Sequence, residues 1–538
     1  MQTTPLKRFQ QKQRISFAYM RMNKRNVLGI LSSCLLLAQL TACSSPIIIY
    51  DTPLSDAVTD TDTAPITADT EGTETVPVTE TLVTETVSET TPVDPQAEGK
   101  AALSALRRDD LDGMNILIAA ADESAVFGDL FDGENAGSTV LPATRTERTR
   151  MVEERYNVRI LNYVFEKEAM FQEIKRANLS DIPYVADFYA LPYDQVGRYF
   201  ANGLLLNLRT LPFTDFSANY YDKNAMGALS AGYGVWGAVG DYTFSPENAY
   251  AVYFNKDMNE ALGLTSPYRQ VRDGEWTWET LFTASKAARA SVDEDGNAVW
   301  GDNLGGLGLE FCEAMFADAA ALSITATAAD RTPSLSSDTE RISNIVSLLK
   351  TGVYNSATAP TKSSYTTELP DDAALFLNGD MLYYCSTLSH LPHWADTATP
   401  WGIVPLPKAD KAQRSYSTYI GETAVMSVAS TNGALEATGT ILQALFAASS
   451  GAYPDAYLEE ALKYYVRDSE TVEMLDLICS SMHYDFTSMF ASGFSQLNYA
   501  SRYTIHSAIT QNYSVSVVYN NYKANAEKEL KTAFPTNR

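Results

Sequence analysis

Apolar and polar positions alternate along residues 114–202 in blocks that predict strands and helices in turn. A continuous apolar run, Met114–Ala120, predicts a buried strand, and Thr144–Tyr156 places charges on one side and apolar residues on the other, as a helix does. The same analysis predicts strands over Asn157–Leu161 and Val185–Leu191, and helices over Phe171–Asn178 and Tyr193–Asn202. Strands and helices that alternate at this spacing indicate an α/β fold with a parallel sheet.

Two loops in this region follow predicted strands directly, and both carry polar side chains. Ligands of parallel α/β sheets bind at the carboxyl ends of the strands, in the loops. The loop Ala121–Ser124 supplies Asp122 and Glu123 as candidate ligand-binding residues. The loop Pro192–Gln195 supplies Tyr193 and Asp194.

A second pattern, strand after strand with loops between, covers residues 373–430 and carries little charge. A helix over Asp372–Phe376 and a turn at Asn378-Gly379-Asp380 are predicted to precede it, since Gly and Asn tolerate positive φ. The predicted strands are Met381–Cys385, Trp401–Leu406 and Ala424–Ala429. We interpret them as chain that crosses between two packed bodies, with Ser386 and Glu422 as candidate ligand residues at strand ends.

Aromatic residues interleave with small and polar ones along Tyr233–Asp257. Flat aromatic faces suit the apolar faces of sugar rings, and nearby acids suit hydroxyl groups. Most aromatics in such a segment belong to the core. Trp236, Asp241 and Tyr242 are our candidates for ligand contact, because Gly237 and Gly240 suggest an exposed bend.

The remaining helices are predicted from caps and from apolar periodicity. Thr277 is predicted to cap a helix within Gly274–Ala290, with Trp276 and Trp278 packing the helix entry. Further helices are predicted over Thr339–Lys350, Gly433–Ser449, Tyr457–Tyr465 and Glu470–Ser480.

The first hundred residues have a different composition. Residues 1–42 combine a basic start, an apolar run from Val27 to Leu40 and a small-residue ending, which together predict a secretory signal. The ending Leu40-Thr41-Ala42-Cys43 resembles the lipobox of bacterial lipoproteins, in which the cysteine is lipidated after cleavage. Residues 43–99 are acidic and rich in Thr, so we predict a disordered tether.

The net charge of −26 argues against nucleic acid as a partner. Beyond Cys43, three cysteines remain in the exported chain, Cys312, Cys385 and Cys479; one disulfide at most can form among them, and buried thiols are favoured. No metal-ligand spacing is present. The loop Asp293–Asp302 only partly follows the order of a calcium loop, and a surface turn is the favoured interpretation. We therefore expect no metal and no cofactor.

Three segments resemble family 1 extracellular solute-binding proteins, the type II periplasmic-binding-protein-like receptors of ABC importers. These are DIPYVADFYALPYDQVGRYFANGLLLNL (181–208), YGVWGAVGDYTFSPENAYAVYFNKD (233–257) and residues 373–430. The family often has Gly and Trp after the first strand of the third segment, where this chain has Ser386-Thr387-Leu388. The resemblance covers roughly residues 112–450.

This resemblance implies a two-lobed α/β fold with crossing hinge strands in residues 100–538. Lobe 1 would take about 112–249 and 400–432, and lobe 2 about 258–395 and 433–538. It also implies a receptor held at the outer face of the cell membrane by a lipid on Cys43. The receptor would deliver a solute, by family habit a carbohydrate or oligosaccharide, to an ABC permease.

A chemosensory or non-sugar solute receptor and a secreted glycan-degrading lipoprotein are the alternatives. Neither G-x-S-x-G nor H-E-x-x-H occurs, and the S-x-x-K and K-T-G motifs overlap within Ser347–Gly352, too close to form a site. His390 and His393 lack a third metal ligand, and carboxylate pairs for glycoside hydrolysis stay open. We therefore expect a binding protein and not an enzyme.

Overall fold

The computed structural model describes residues 97–121, 140–180, 185–288, 307–309, 313–328, 331–336, 338–352, 372–466 and 468–535. Several sequence predictions lie outside these residues: the signal peptide, Cys43 and most of the tether, Asp122 and Glu123, Cys312, and the loop 293–302. They stay predictions.

Fourteen strands are described, and most of them belong to two four-stranded sheets. They are β1 (Met114–Ala121), β2 (Val158–Phe165), β3 (Phe188–Pro192), β4 (Ser230–Ala231), β5 (Gly234–Val235), β6 (Tyr250–Asn255), β7 (Leu307–Leu309), β8 (Thr325–Thr327), β9 (Pro333–Leu335), β10 (Tyr383–Thr387), β11 (Trp401–Pro405), β12 (Thr418–Tyr419), β13 (Ala424–Val428) and β14 (Met482–His483). Every strand predicted from the sequence is present, with bounds shifted by a few residues.

The first sheet has the order β13-β3-β1-β2. Strand β1 pairs in parallel with β2 and β3, while β13 runs antiparallel to β3. The second sheet has the order β11-β6-β10-β7, in which β6 is antiparallel to both of its neighbours. The predicted α/β fold with a parallel sheet is therefore confirmed, and β13 returns to the first sheet after β6, β10 and β11 have formed the second.

Nineteen α-helices connect and cover the sheets within the described residues. They are α1 (Ala97–Ala105), α2 (Val140–Tyr156), α3 (Lys167–Leu179), α4 (Val196–Ala201), α5 (Lys223–Leu229), α6 (Lys256–Ala261), α7 (Pro267–Arg272), α8 (Trp278–Ala288), α9 (Glu313–Ala319), α10 (Thr339–Gly352), α11 (Asp372–Leu377), α12 (Leu391–Trp394), α13 (Leu435–Ala448), α14 (Ala452–Glu460), α15 (Ser469–Ser480), α16 (Phe486–Phe490), α17 (Ser495–Asn498), α18 (Thr504–Thr510) and α19 (Val515–Ala533).

Local chemistry explains where several helices begin and which face they bury. Thr277 Oγ1 accepts a hydrogen bond from the Thr280 amide at 3.3 Å, so the predicted cap of α8 is confirmed. Trp276 and Trp278 are fully buried beside it, as predicted. In α10 the apolar face Ile342, Ile345, Val346 and Leu349 is buried, and this face also agrees with the sequence prediction.

The core has two parts. One lies on the face of the first sheet that α2 and α13 cover, where Ile116, Ile118 and Val152 pack with Ile441 and Leu445. The other joins the opposite face of that sheet to the second sheet and to the C-terminal helices. Burial on both faces accounts for the continuous apolar runs of the strands.

For two segments, the sheet that they join or cover differs from the one that the predicted lobe bounds imply. Strand β11 (401–405), assigned above to lobe 1, pairs with β6 in the second sheet. Helix α13 (435–448), assigned to lobe 2, packs against α1 and α2 beside the first sheet. Apolar patterning gives a strand or helix its buried face but not the partner that covers it. The other lobe bounds stay predictions.

Among the described residues, none of the helices has both the length and the apolar character needed to span a membrane.

Candidate functional site

A cavity of about 400 Å³ lies where α9, β12 and the C-terminal helices meet. Its wall combines carboxylate, hydroxyl, amide and guanidinium groups with apolar side chains. The polar and aromatic members are Asp318, Tyr419, Asp485, Thr487, Ser488, Asn498, Ser501, Arg502, Tyr503 and His506. Ala317, Leu322, Ile324 and Ile505 complete the wall. Convergent polar groups in a partly apolar pocket are typical of a small-molecule site.

Short strand pairs and turns position the wall. Strand β12 pairs in parallel with β14, which sets Tyr419 beside His483. Helix α9 packs against β12, and Gln413 Nε2 donates a buried hydrogen bond of 2.8 Å to the Ala319 carbonyl at the end of α9. Asp485 caps α16 by accepting a hydrogen bond of 3.2 Å from the Ser488 amide. The cavity therefore depends on contacts between segments far apart in sequence.

The loop after β3, predicted as a ligand loop, lies beside the cavity. The Tyr193 amide donates to the Thr423 carbonyl at 3.0 Å, which holds the end of β3 against the chain entering β13. The buried Tyr193 side chain forms a hydrogen bond with Tyr419, and burial raises its pKa, with Asp318 and Arg502 among the charges that act on it. The candidate residue Tyr193 thus contacts a residue of the cavity wall.

Two buried acids of the wall lie close to a histidine behind it. Asp318 and Asp485 line the cavity, and Nδ1 of His483 lies 3.7 Å from Oδ1 of Asp318. This distance is longer than a hydrogen bond, so the interaction is a charge attraction. Burial raises the pKa of Asp318, and burial followed by the charge of Asp318 raises the pKa of Asp485 to about 6. For His483, burial acts to lower the pKa, but the neighbouring acids Asp318, Asp485 and Asp222 raise it overall.

The mouth of the cavity has the opposite charge. Arg502 and His506 are exposed and belong to the same helical segment, while Asp318 and Asp485 are at least nine-tenths buried. The charge of Arg502 also acts to lower the pKa of Asp318, more weakly than His483 does. The cavity therefore has an acidic floor and a basic rim.

A wider groove of about 850 Å³ adjoins the acidic floor and shares Asp485 with the cavity. It runs between residues 209–235, residues 323–327 with Arg331, and residues 483–486. Its cations Arg209, Lys223 and Arg331 are exposed. We regard the smaller cavity as the stronger candidate site because its acids are buried and converge.

Three other candidate residues lie away from the cavity wall. Asp194 is half-buried and accepts a hydrogen bond of 3.1 Å from the side chain of Gln195. Ser386 is fully buried, and its hydroxyl lies 2.9 Å from Nε2 of His390. Glu422 is half-buried in the segment that enters β13. Their contact with a ligand stays a prediction.

The exposed bend expected at Gly237 and Gly240 is wrong, because both glycines are buried. A Cβ atom on Gly237 would lie 2.3 Å from Cγ1 of Val425, and one on Gly240 would lie 2.1 Å from the Tyr220 carbonyl oxygen. These glycines permit close packing of backbone and side chains. The sequence pattern alone does not distinguish this role from an open turn.

The three candidates in that segment are consequently placed in the interior. Trp236 is buried, and its indole N–H donates to the Ala231 carbonyl at 3.1 Å. Tyr242 is buried under the Arg148 guanidinium, which lies 4.4 Å from the ring centroid. Asp241 is half-buried and accepts a hydrogen bond of 2.9 Å from the Gly451 amide. Each has a structural partner, and none of them lines the cavity.

The sequence analysis missed most of the wall. Asp485 could have been found as a helix cap, since it precedes Ser488 by three residues. Asp318, Asn498 and Arg502 lie on helices with no motif that separates them from other surface positions. Their role depends on helix packing.

Of the described cysteines, Cys385 agrees with the expectation of a buried thiol, and its sulfur lies 3.4 Å from that of Met315. Cys479 is half-buried. Burial raises the pKa of Cys479. Within the part of the chain that the structure describes, no group of three or more His, Cys, Asp or Glu side chains could hold a metal ion.

Comparison with known proteins gives fold-level similarity. No family model matches the chain. No curated protein matches it either. Among solved structures, a cyclic α-maltosyl-1,6-maltose binding protein from Arthrobacter globiformis has a TM-score of 0.50 and 13% identity, over 78% of this chain and 100% of that chain. The sugar-binding protein MalE from Xanthomonas citri has a TM-score of 0.50 and 11% identity, over 78% of this chain and 98% of that chain.

These similarities define the class of fold. The chain has the mixed α/β fold of two-lobed solute-binding proteins, as predicted from the sequence. Both neighbours are described as binding proteins, one for cyclic α-maltosyl-1,6-maltose and one for sugar. At this level of identity the likeness extends to the fold alone.

Proposed function

We propose that this chain is an extracytoplasmic receptor that binds a carbohydrate and delivers it to an ABC importer. The observation that supports the proposal most is the cavity of about 400 Å³ in a fold shared with sugar-binding proteins. The cavity lies beside Tyr193, in the loop that follows β3, where ligands of parallel sheets bind.

The chemistry of the wall suits a sugar. Sugar hydroxyls donate to carboxylates and accept from amide and guanidinium groups, and Asp318, Asp485, Asn498 and Arg502 supply both kinds of partner. Apolar and aromatic side chains in the same wall suit the C–H faces of the ring. The volume is near the lower end of the range of about 300–1,000 Å³ for ligand pockets. It favours a mono- or disaccharide over a long oligosaccharide.

The chain path supports a hinge mechanism. Segments between β3 and β6 and between β11 and β13 pass from one sheet to the other, so few backbone segments join the two sheets. Solute that bridges both parts would favour the closed form. The closed form would then dock on the permease, and a lipid on Cys43 would keep the receptor at the membrane.

The binding claim is tested by thermal unfolding and calorimetry of the purified full chain with mono- and disaccharides, using amino acids, peptides and polyamines as controls. A solute at one hundred times its Kd adds about 2.7 kcal/mol to the unfolding free energy, which a melting curve detects. Arg502→Ala should weaken binding, whereas Arg269→Ala, at an exposed position of α7, should not. A shift with the control solutes alone would contradict the carbohydrate claim.

The enzyme alternative is tested with the same material. Sugars and glycans incubated with the chain should be recovered unchanged. Released product that disappears in Asp318→Asn would favour a glycan-degrading lipoprotein. If the receptor serves chemosensing instead, it should bind the sugar, and deletion of its gene should leave uptake of that sugar unchanged.

The anchor is tested by labelling cells with radioactive palmitate. Label should enter the wild-type chain and not a Cys43→Ser variant, and the variant should leave the membrane fraction. Equal labelling of both chains would contradict lipidation at Cys43.

A further inference from the structure

The Asp318 carboxylate is buried and faces the cavity with its hydrogen-bonding capacity largely unused. Asp318 is 5% exposed and lines the wall. Within the described residues, its cationic neighbour is His483, whose Nδ1 lies 3.7 Å from Oδ1 of Asp318, beyond the usual hydrogen-bond distance. An ionised carboxylate offers about four acceptor positions, and a buried carboxylate without donors is strongly unfavourable. Further hydrogen-bond donors to Asp318 must therefore come from a molecule in the cavity.

Asp485 adds a second buried carboxylate to the same floor. It is 9% exposed, lines the cavity with Asp318, and uses one oxygen to cap α16 through the Ser488 amide at 3.2 Å. The two acids are close enough for the charge of Asp318 to act on Asp485. Ionising both carboxylates in this buried environment costs free energy unless a cation lies close to them.

The charges supplied by the chain compensate the floor only in part. His483 faces Asp318, Asp485 and also Asp222 of the α5 cap, so one histidine is shared among three acids. Arg502 lies at the exposed mouth, where water screens its charge. The floor of the cavity thus keeps a net negative charge in a low-dielectric environment. This charge favours a solute that carries a positive group.

We propose that the solute carries a protonated amino group, bound between Asp318 and Asp485, and that the receptor selects an amino sugar over the neutral sugar of the same size. This inference rests on the proposed carbohydrate function. The ammonium group supplies three donors and one positive charge, and charge-assisted hydrogen bonds are about twice as strong as neutral ones. The remaining ring hydroxyls contact Asn498, Ser501 and Arg502 at the upper wall.

The test compares Kd values for matched solutes with the purified full chain at pH 7. The probes are D-glucosamine and its β-1,4 dimer against D-glucose and cellobiose, with spermidine and L-lysine as cations that are not sugars. We expect at least tenfold tighter binding of the amino sugar of each pair. Asp318→Asn and Asp485→Asn should each reduce this preference to about threefold or less, and exposed Asp396→Asn should leave it unchanged.

Each outcome decides one claim. Equal or tighter binding of the neutral sugars overturns the amino-sugar inference and leaves the carbohydrate receptor in place. Binding of spermidine or lysine without any sugar overturns both, and so does failure of all sugars to bind. The melting temperature of each variant without solute shows whether the variant is folded. Because Asp318→Asn and Asp485→Asn are separate variants, the inference can still be tested if one of them fails to fold.

Discussion

Asp241 binds the residue that precedes helix α14, and its titration makes the stability of the protein depend on pH. Its carboxylate accepts a hydrogen bond from the Gly451 amide at 2.9 Å. Burial raises its pKa from 3.8 to about 7, and the nearby acids Glu98, Asp222 and Asp455 act in the same direction. Because the folded-state pKa is above the unfolded one, the stability contribution is complete below pH 3.8. It falls as the pH rises and is lost above about pH 7.

We predict that Asp241→Asn stabilises the protein at pH 8 and has little effect near pH 4. The amide oxygen can still accept from Gly451, while the charge is removed. A shift of about three pKa units corresponds to about 4 kcal/mol at most. Asp241 is only half-buried and its acidic neighbours are partly solvated, so we expect about 1–2 kcal/mol.

The assay is urea unfolding of wild type and variant at pH 4 and at pH 8. The change in unfolding free energy that the substitution causes is compared between the two pH values. Groups that titrate in both proteins cancel in this difference. Asp396→Asn, an exposed position, serves as the control and should show no pH-dependent difference. A variant that is equally or less stable at pH 8, or whose effect is the same at both pH values, would refute the reasoning.

Three further predictions concern packing and capping. Gly237→Ala should cost about 1–3 kcal/mol in urea unfolding because its Cβ would meet Val425, and the exposed Gly433→Ala, which meets nothing within 4 Å, should not. Thr277→Ala should cost about 1 kcal/mol by removing the α8 cap, and Thr277→Ser should restore it. Phe534→Ala should lower the unfolding free energy by about 3–5 kcal/mol, since the buried ring stacks on Phe200 at a centroid distance of 4.6 Å. A decrease below about 1 kcal/mol would contradict the packing of the C-terminal residues against the core.

The contrast between α10 and α13 indicates how far sequence reasoning reaches. Both helices were located from apolar periodicity, and in α10 the buried face is the predicted one. For α13 the lobe bounds implied the second sheet, whereas the helix packs against α1 and α2 beside the first sheet. Periodicity is a property of a single segment, whereas the partner depends on the path of the whole chain.

The candidate site shows the same limit more sharply. Tyr193 could be predicted because a loop after a parallel strand must lie at the ligand edge of the sheet. Asp318 and Arg502 could not, because they belong to helices 184 positions apart that meet only when the C-terminal segment folds back. The bend beside Trp236 was wrongly predicted to be exposed, because glycines beside an aromatic residue are compatible with an open bend and with tight packing. The contacts of Gly237 with Val425 and of Gly240 with Tyr220 decide between the two.

The sequence by itself determined the α/β class, the bounds of the main strands and helices to within a few residues, and the cap of α8. These depend on local preferences and on patterns repeated over a few residues. The tertiary structure alone decided which sheet receives β11 and α13, and which acids converge on one cavity. Those features depend on contacts between distant segments, whose free energy no single stretch of sequence contains.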